Sequence, residues 1–387
     1  MPLTQNELDA VLAAVRAFVR EVVVPAEEEI EDQNEVPDSI RKQAADMGLF
    51  GFALPVEYGG LGLTAVEEAQ LAFEIGWTTP AFRSMFGTNN AIAGQVIAQS
   101  GTQEQQSAYL PRMASGEVVA SFALTEAEAG SDAGGLRTTA LPNDDGYVID
   151  GAKQFITNAP VAGLLIVFAR TPTEAGGTVV SAFLVDADLP GVSVGLPDKK
   201  MGQRGAISAP VTLEGVVVTR DALLGGTEGR GLQQAMKSLN RGRLHVSALC
   251  VGLADRLLSE SVTYAESRRQ FGSAIADFQL VQSMLARSAV SRHAARALVL
   301  EACRVFDEDG RAAIEMASSA KLFATEIVGE VADRAVQIQG GNGYMRGNPV
   351  ERFYRDARLY RIYEGTSEIQ QLVIAKELRR RLTRSKS

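Results

Sequence analysis

The feature that most constrains this chain is a change in the spacing of its apolar residues, which happens twice. From Thr4 to about residue 114 the apolar positions keep a helical period, beginning with Leu8, Val11, Leu12, Val15, Phe18 and Val19. At Val118 the texture turns to short β-branched and aromatic runs, GYVIDGAKQFIT, LLIVFAR, VVSAFLVD and PVTLEGVVV, separated by Gly, Pro, Asn and Asp. From Gly231 the helical period returns through Leu232, Ala235, Met236 and Leu239, then Leu249, Leu253 and Leu257, then Leu280, Met284 and Leu298. The expected fold is therefore mainly α with a central all-β domain. An N-terminal helical domain (1–117) precedes a middle β-barrel or sandwich (118–230) and a C-terminal four-helix-type bundle (231–387).

Local signals fill in this frame. Thr4 with Glu7 and Thr102 with Gln105 read as capping boxes. Pro37 and Asp38 start a second short helix that Gly48 ends, and LPVEYGGLGLT forms a loop before a helix carrying Val66, Leu71 and Ile75. A further helix is expected over about 81–100, and Asn143 to Gly146 as a hairpin turn. The end, ELRRRLTRSKS, reads as a solvated helix terminus.

Composition removes several classes of function. A 387-residue chain with 46% hydrophobic residues can bury a large core, and a formal charge of -9 disfavours a surface for duplex nucleic acid. No apolar run approaches membrane-spanning length, and MPLTQNELDA has neither a signal-peptide core nor an Arg-rich transit pattern, so the cytoplasm is the expected compartment. Cys250 and Cys303 fall in apolar helical patterns and read as buried free thiols, while His245 and His293 are too few for a His-rich zinc site; no metal is expected. Walker-A and strand-borne GxGxxG patterns are absent, so any cofactor must be held another way.

The chemistry concentrates in RDARLYRIYEGTSEIQ, Arg355 to Gln370. Glu364 stands where one helical pattern breaks and another restarts, with Gly365 giving backbone freedom and Thr366 available to cap the next helix. Beside Tyr363 and Gly365, a poorly solvated carboxylate would gain basicity, which suits proton abstraction; the same acid also fits a first-turn partner of the helix dipole. In FALTEAEAGSD (Phe122 to Asp132), Gly130 combines with the hydroxyls of Thr125 and Ser131, a pattern that also fits a polar turn. In KQFITN, Phe155 and Thr157 would share one strand face, able to cover a flat ring and bond its edge or simply to belong to a sheet. ESRRQFG, Gln279 and QIQGGNGYMRG bring Arg268 and glycines near 340 that suit a phosphate, or equally a solvated Arg pair and a helix stop.

In order and spacing, FALTEAEAGSD, QFITN, NRGRLHVSALCVG, SRRQFG with the following FQ, QIQGGNGY and RDARLYRIYEGTSEIQ resemble the acyl-CoA dehydrogenase family over essentially the whole chain. The resemblance implies an FAD site between the β domain and the C-terminal helices, completed by a neighbouring subunit of a dimer or tetramer. Phe122, Leu124, Thr125, Gly130 and Ser131 would line the flavin, and Phe155, Ile156 and Thr157 would cover its ring. Arg268, Arg269, Gln270, Phe271 and Gln279, with Gln337, Gly340 and Gly341, would meet the diphosphate and adenine end, and Thr366, Ser367 and Glu368 the segment after the base. Ser131, the turn from Asn240 to Arg243, Tyr363 and Gly365 would contact substrate.

The implied reaction is α,β-dehydrogenation of an acyl-CoA to the 2-enoyl-CoA in fatty-acid metabolism. Glu364 would take the α-proton, the β-hydrogen would leave as hydride to the flavin, and an electron-transferring flavoprotein is the expected acceptor. Some family members carry the base immediately before the Arg matching Arg243; here that residue is Gly242. Phe155 stands for a frequent Trp, Ala127 for a frequent Pro and Asn240 for a frequent Asp, the last leaving the carrier open. Alternatives that keep these motifs are a dehydrogenase or oxidase of carrier-protein-bound thioesters, and a DNA-binding flavoprotein.

Overall fold

The computed structural model describes residues 3–309 and 313–384. Helices come first: α1 (Gln5–Phe18), α2 (Glu27–Gln33), α3 (Asp38–Asp46), α4 (Ala65–Ile75), α5 (Pro80–Ala91), α6 (Ala93–Ser100) and α7 (Gln103–Ala114). The capping boxes at Thr4 and Thr102 form, and a third, Thr64 with Glu67, starts α4. Two details differ from the sequence reading. A wide-pitched turn over Val19–Val23 carries α1 on towards α2, an extra helix before Pro37. The segment 81–100 is two helices rather than one, because Ile92 leaves helical geometry at φ -127, ψ -62.

Seven strands then build one hydrogen-bonded sheet: β1 (Ala120–Ala123), β2 (Thr139–Pro142), β3 (Gly146–Thr157), β4 (Leu164–Thr173), β5 (Gly177–Asp186), β6 (Val192–Val194) and β7 (Ser208–Thr219). The order is β1-β4-β2-β3-β7-β6, with β5 added to β4. The Asn143 turn joins β2 to β3, its side chain accepting from the Gly146 amide at 2.6 Å. Alternation along β4 explains how the sheet sits: Leu164, Ile166 and Phe168 join Val96, Ile97, Leu110 and Met113 of α6 and α7, while Leu165, Val167 and Ala169 join the core of the sheet itself.

The C-terminal part is a bundle of α8 (Gly231–Ser267), α9 (Gln279–Glu308), α10 (Ala313–Gln339), α11 (Pro349–Tyr360) and α12 (Ser367–Arg384). A small β8–β9 hairpin, Arg269–Gln270 paired with Ser273–Ala274, joins α8 to α9. Cys250 and Cys303 are buried and free. The Arg-rich tail continues α12 to Arg384, and its last three residues lie outside the described ones. Among the described residues no helix is long and apolar enough to cross a membrane, and no cluster of His, Cys, Asp or Glu could hold a metal ion.

Candidate active site

Glu364 lies between α11 and α12 on a sharply folded connection. Its own φ is +54 and that of Gly365 is +91, two successive left-handed residues. For a glutamate this conformation costs on the order of 1–2 kcal/mol, and the surroundings hold it there. Gln370 on α12 donates to the carbonyls of Glu364 (3.2 Å) and Gly365 (3.0 Å), Arg243 on α8 donates to the Glu364 carbonyl (3.4 Å), and Lys321 on α10 donates to the Gly365 carbonyl (2.7 Å). Thr366 caps α12 as expected, accepting from the Ile369 amide at 3.3 Å. The Glu364 amide meets no protein acceptor among the described residues.

The Glu364 side chain is 8% exposed, and its Oε1 lies 3.7 Å from the Arg83 guanidinium. Burial pushes its carboxyl above the usual range, and the charges of Arg83, Lys321 and Arg243 oppose that rise without cancelling it. Among the described residues Oε2 has no hydrogen-bond partner, nor has the buried Nε of Arg83. Both groups sit in space opened by glycines. A Cβ on Gly242 would lie 2.5 Å from Glu364 Oε2, and one on Gly87 would lie 2.5 Å from Arg83 Nε. A buried carboxyl of raised basicity with one oxygen free of hydrogen bonds among the described residues is suited to taking a proton from a weak carbon acid.

Of the substrate candidates, Arg243, Asn240, Tyr363 and Gly365 lie about this acid. Asn240 and Arg243 belong to the interior of α8 rather than to a turn, because the helix runs unbroken from Gly231 to Ser267. Arg243 donates to Asn240 Oδ1 at 2.9 Å, whereas the neighbouring Arg241 turns away to Glu68 (2.7 Å) and the Leu63 carbonyl (2.6 Å). Tyr363 packs against Tyr360 with ring centroids 5.7 Å apart. Ser131 and Gly130 are exposed at the edge of the sheet.

The β-sheet candidates form a second group next to the first. The Gln154 amide donates to the Thr125 carbonyl at 2.9 Å, joining the Phe122–Ser131 segment to β3. Phe122 rests on Phe168 at 4.8 Å, and Leu124 is buried with it. Simple alternation does not place Phe155: a bulge between Lys153 and Ile156 puts it at φ +59 and 61% exposed. Ile156 offers only its backbone to a ligand, since its side chain is buried in the sheet core, while Thr157 is half-buried at the strand end. The next residue, Asn158, donates to the Ser84 carbonyl (2.7 Å) and Thr88 hydroxyl (3.1 Å) of α5, the helix that carries Arg83. The end of β3 and Glu364 thus both meet α5.

The third group lies elsewhere in the chain. Arg268, Arg269, Gln270, Phe271 and Gln279 are exposed on the β8–β9 hairpin and the start of α9, Phe271 almost completely at 97%. Apolar packing of Ala265, Ile275 and Ile338 fixes the hairpin to the end of α10, next to exposed Gln337, Gly340 and Gly341. Arg243 and Arg268 are 25 positions apart on α8, or about 37 Å of helix at 1.5 Å per residue. Thr366 and Glu368 line a cavity of about 120 Å³ with Arg358 and Arg361, whereas the Ser367 hydroxyl is committed to Glu326 at 2.6 Å. A larger depression of about 420 Å³, bounded by Tyr109, Arg112, Asp186 and Asp188, contains none of these candidates.

Arg83 and Lys321 meet the Glu364 connection and were missed by sequence reasoning. Faint signals existed: Gly87 one turn beyond Arg83, and a single Lys within the small-residue run MASSAKLFAT.

A helical–β–helical fold with a buried acid beside an open sheet rim defines a class of flavoenzyme, and comparison with known proteins specifies it. Family models match in sequence: acyl-CoA dehydrogenase N-terminal domain over residues 5–117, middle domain over 121–216 and C-terminal domain over 229–379. The chain belongs to the acyl-CoA dehydrogenase family. It is 40% identical to a 3-(aryl)acrylate reductase of Clostridium sporogenes (strain ATCC 15579), covering 97% of this chain and 98% of that protein. It is 39% identical to the CarC subunit of a caffeyl-CoA reductase-Etf complex of Acetobacterium woodii, covering 96% and 97%. It superposes with a TM-score of 0.92 on an acyl-CoA dehydrogenase complexed with FAD from Bacillus anthracis, at 34% identity over 99% of this chain and 68% of that one.

The cofactor is FAD, and the residues present fit it. Phe155 offers an exposed aromatic face, and added Cβ atoms at Gly130, Gly340 and Gly341 would meet nothing within 4 Å, leaving backbone open to a close-lying ligand. The protein is an FAD-dependent oxidoreductase of acyl thioesters.

Proposed function

We propose that Glu364 is the base of α,β-dehydrogenation of an acyl-CoA. The observation that carries this reading is its buried carboxyl of raised basicity, whose Oε2, like the Glu364 amide, meets no hydrogen-bond partner among the described residues. Held at Oε2, the α-proton leaves its electron pair on the thioester as enolate-like charge. The Glu364 amide donates to the carbonyl oxygen where that charge gathers, so one residue removes the proton and stabilises what remains. Bound FAD supplies the two-electron acceptor for the β-hydrogen. The positive charges of Arg83, Lys321 and Arg243 favour the ionised form of the acid against the effect of its burial. The same residues serve the reverse reaction, Glu364 returning a proton to the α-carbon, so the direction follows from the electron partner.

Phe122 to Ser131 and Phe155 to Thr157 would meet the flavin, Thr366 and Glu368 the segment beyond it, and Ser131, Asn240, Arg243, Tyr363 and Gly365 the thioester. Arg268 to Phe271, Gln279, Gln337, Gly340 and Gly341 would meet the adenine end of FAD bound mainly to a neighbouring subunit, since so much of α8 separates them from their own base. The functional unit is therefore a homo-oligomer, a dimer or tetramer, of chains divided into parts 1–117, 118–230 and 231–387. An electron-transferring flavoprotein fits as redox partner, because one relative is a subunit of such a complex. A cytoplasmic role in fatty-acid metabolism fits this chemistry.

The test is anaerobic bleaching of the yellow protein by straight, branched and aromatic acyl-CoAs, with the thioester products analysed. A 2-enoyl-CoA formed in step with bleaching is expected. Bleaching only by carrier-protein thioesters, or none, would overturn the proposal.

A further inference from the structure

Lys321 is a lysine of α10 with no exposed surface, and it stands behind the active site rather than in it. Its ammonium donates to the Gly365 carbonyl at 2.7 Å. The adjoining Glu364 carbonyl is held by Arg243 and Gln370, and Gln370 reaches Gly365 as well. The two peptide planes that follow Glu364 are thereby pinned from α8, α10 and α12, while among the described residues no protein group takes the Glu364 amide. A carbonyl clamped from inside the protein fixes the backbone torsions on either side of it. At Glu364 and Gly365 those torsions are both left-handed, so without the clamp the connection would relax towards commoner geometry and turn the carboxylate.

We propose that Lys321 is a positioning residue for proton transfer, its ammonium holding the left-handed connection that aims the Glu364 carboxylate and keeps the Glu364 amide free for the thioester oxygen. The proposal rests on Glu364 being the base. A lysine, unlike an asparagine or a serine, adds full positive charge to the clamp, and that charge also faces the carboxylate it positions. The groups facing Lys321 are Glu364 on the connection, Arg243 and Cys250 on α8, Glu326 on its own helix and the neutral Gln370 on α12. Burial brings the Lys321 ammonium down to about 8, opposed by Glu364. Protonated Lys321 is the clamping form, so its contribution is present below that pH and fades above it.

The experiment compares holoenzymes of wild type, Lys321→Met and Lys321→Arg. One readout is hydrogen exchange of the peptide spanning residues 361–370, which needs no substrate. The other is the rate of anaerobic flavin reduction per bound FAD from pH 6 to 10, with the acyl-CoA that bleaches wild type fastest. Lys321→Met is expected to speed exchange across that peptide and to lower the rate by about 10²-fold, the scale of a small misplacement of a reacting group, with KM little changed. Lys321→Arg should restore most of the rate and lose the alkaline decline that wild type shows near pH 8. Unchanged exchange and rate in Lys321→Met would overturn the proposal. So would a fall in melting temperature and FAD content with a normal rate per bound FAD, which is the mark of a purely structural lysine. Failure of the Glu364 reading shows separately, as wild type that no acyl-CoA reduces, and the exchange measurement then still decides whether the clamp exists.

Discussion

The Glu364 carboxylate occupies space that a side chain on Gly242 would take: a Cβ there would lie 2.5 Å from Oε2 and 3.0 Å from Ile92 Cγ2. The two positions exclude one another. Gly242 sits in α8, where glycine costs up to about 1 kcal/mol relative to alanine, so its presence gains nothing for the helix and makes room for the base. Gly242→Ala should therefore keep FAD and fold stability while lowering flavin reduction about 10²-fold through displacement of the carboxylate. Stopped-flow absorbance at the flavin band measures this, and a normal rate would mean that the acid does not need this place.

Arg83 opposes the rise in Glu364 basicity. Arg83→Met removes a positive charge 3.7 Å away, so the carboxyl should rise further and the acidic limb of kcat/KM should move to higher pH. A limb that stays in place or moves down would contradict the electrostatic role. Circular dichroism of the variant separates this from misfolding.

A buried pair holds the Phe122–Ser131 segment to the sheet. Lys153, with no exposed side chain, meets Glu126 at 2.7 Å and the Phe168 carbonyl at 2.6 Å. Burial alone would push the Glu126 carboxyl up, but Lys153, Thr138 and the amides of Arg137 and Thr138 outweigh it and hold it down to about 2. That depressed value stabilises the fold above the ordinary carboxyl range near 4.5, and the contribution is lost as pH falls towards 2. Lys153→Met strands the carboxylate and should cost about 3–5 kcal/mol at neutral pH. Urea unfolding checks the loss, and the variant should show a shallower decline in stability on the acid side.

Phe271 is an almost bare aromatic at φ +52 on the β8–β9 hairpin, braced only edge-on by Phe278 at 6.0 Å. Phe271→Ser should weaken self-association and FAD retention together if this hairpin completes a neighbour's site. Sedimentation velocity and flavin content per chain measure both, and a change in neither would contradict the shared site.

The order of helical, β and helical parts was legible because it depends on the period of apolar residues, a property spread over dozens of positions. Capping at Thr4, Thr102 and Thr366 was legible because it is local. Missed features depend on backbone conformations that no short pattern announces. Ile92 divides one apolar helical run into two, a bulge at Phe155 breaks strand alternation, and Glu364 itself is left-handed, where a glycine would be the ordinary expectation. Arg83 and Lys321 escaped for another reason: neither stands in a motif, Arg83 lying in the 12-residue α5 and Lys321 within a run of small residues on α10, and the packing of these helices about the Glu364 connection brings each to its partner. The family's motifs were readable as a set, yet the separation of Glu364 from the hairpin at the far end of α8 is a matter of helix length in space.

The most direct measurement is anaerobic stopped-flow mixing of Glu364→Gln with an acyl-CoA that bleaches wild type. The raised carboxyl means that ionised Glu364 is disfavoured by burial, so the neutral isostere should fold and bind FAD at least as well as wild type at neutral pH. The account predicts a yellow, FAD-loaded variant that binds the thioester and stays yellow. Bleaching at close to the wild-type rate would contradict it, because the proton would then be leaving to some other group.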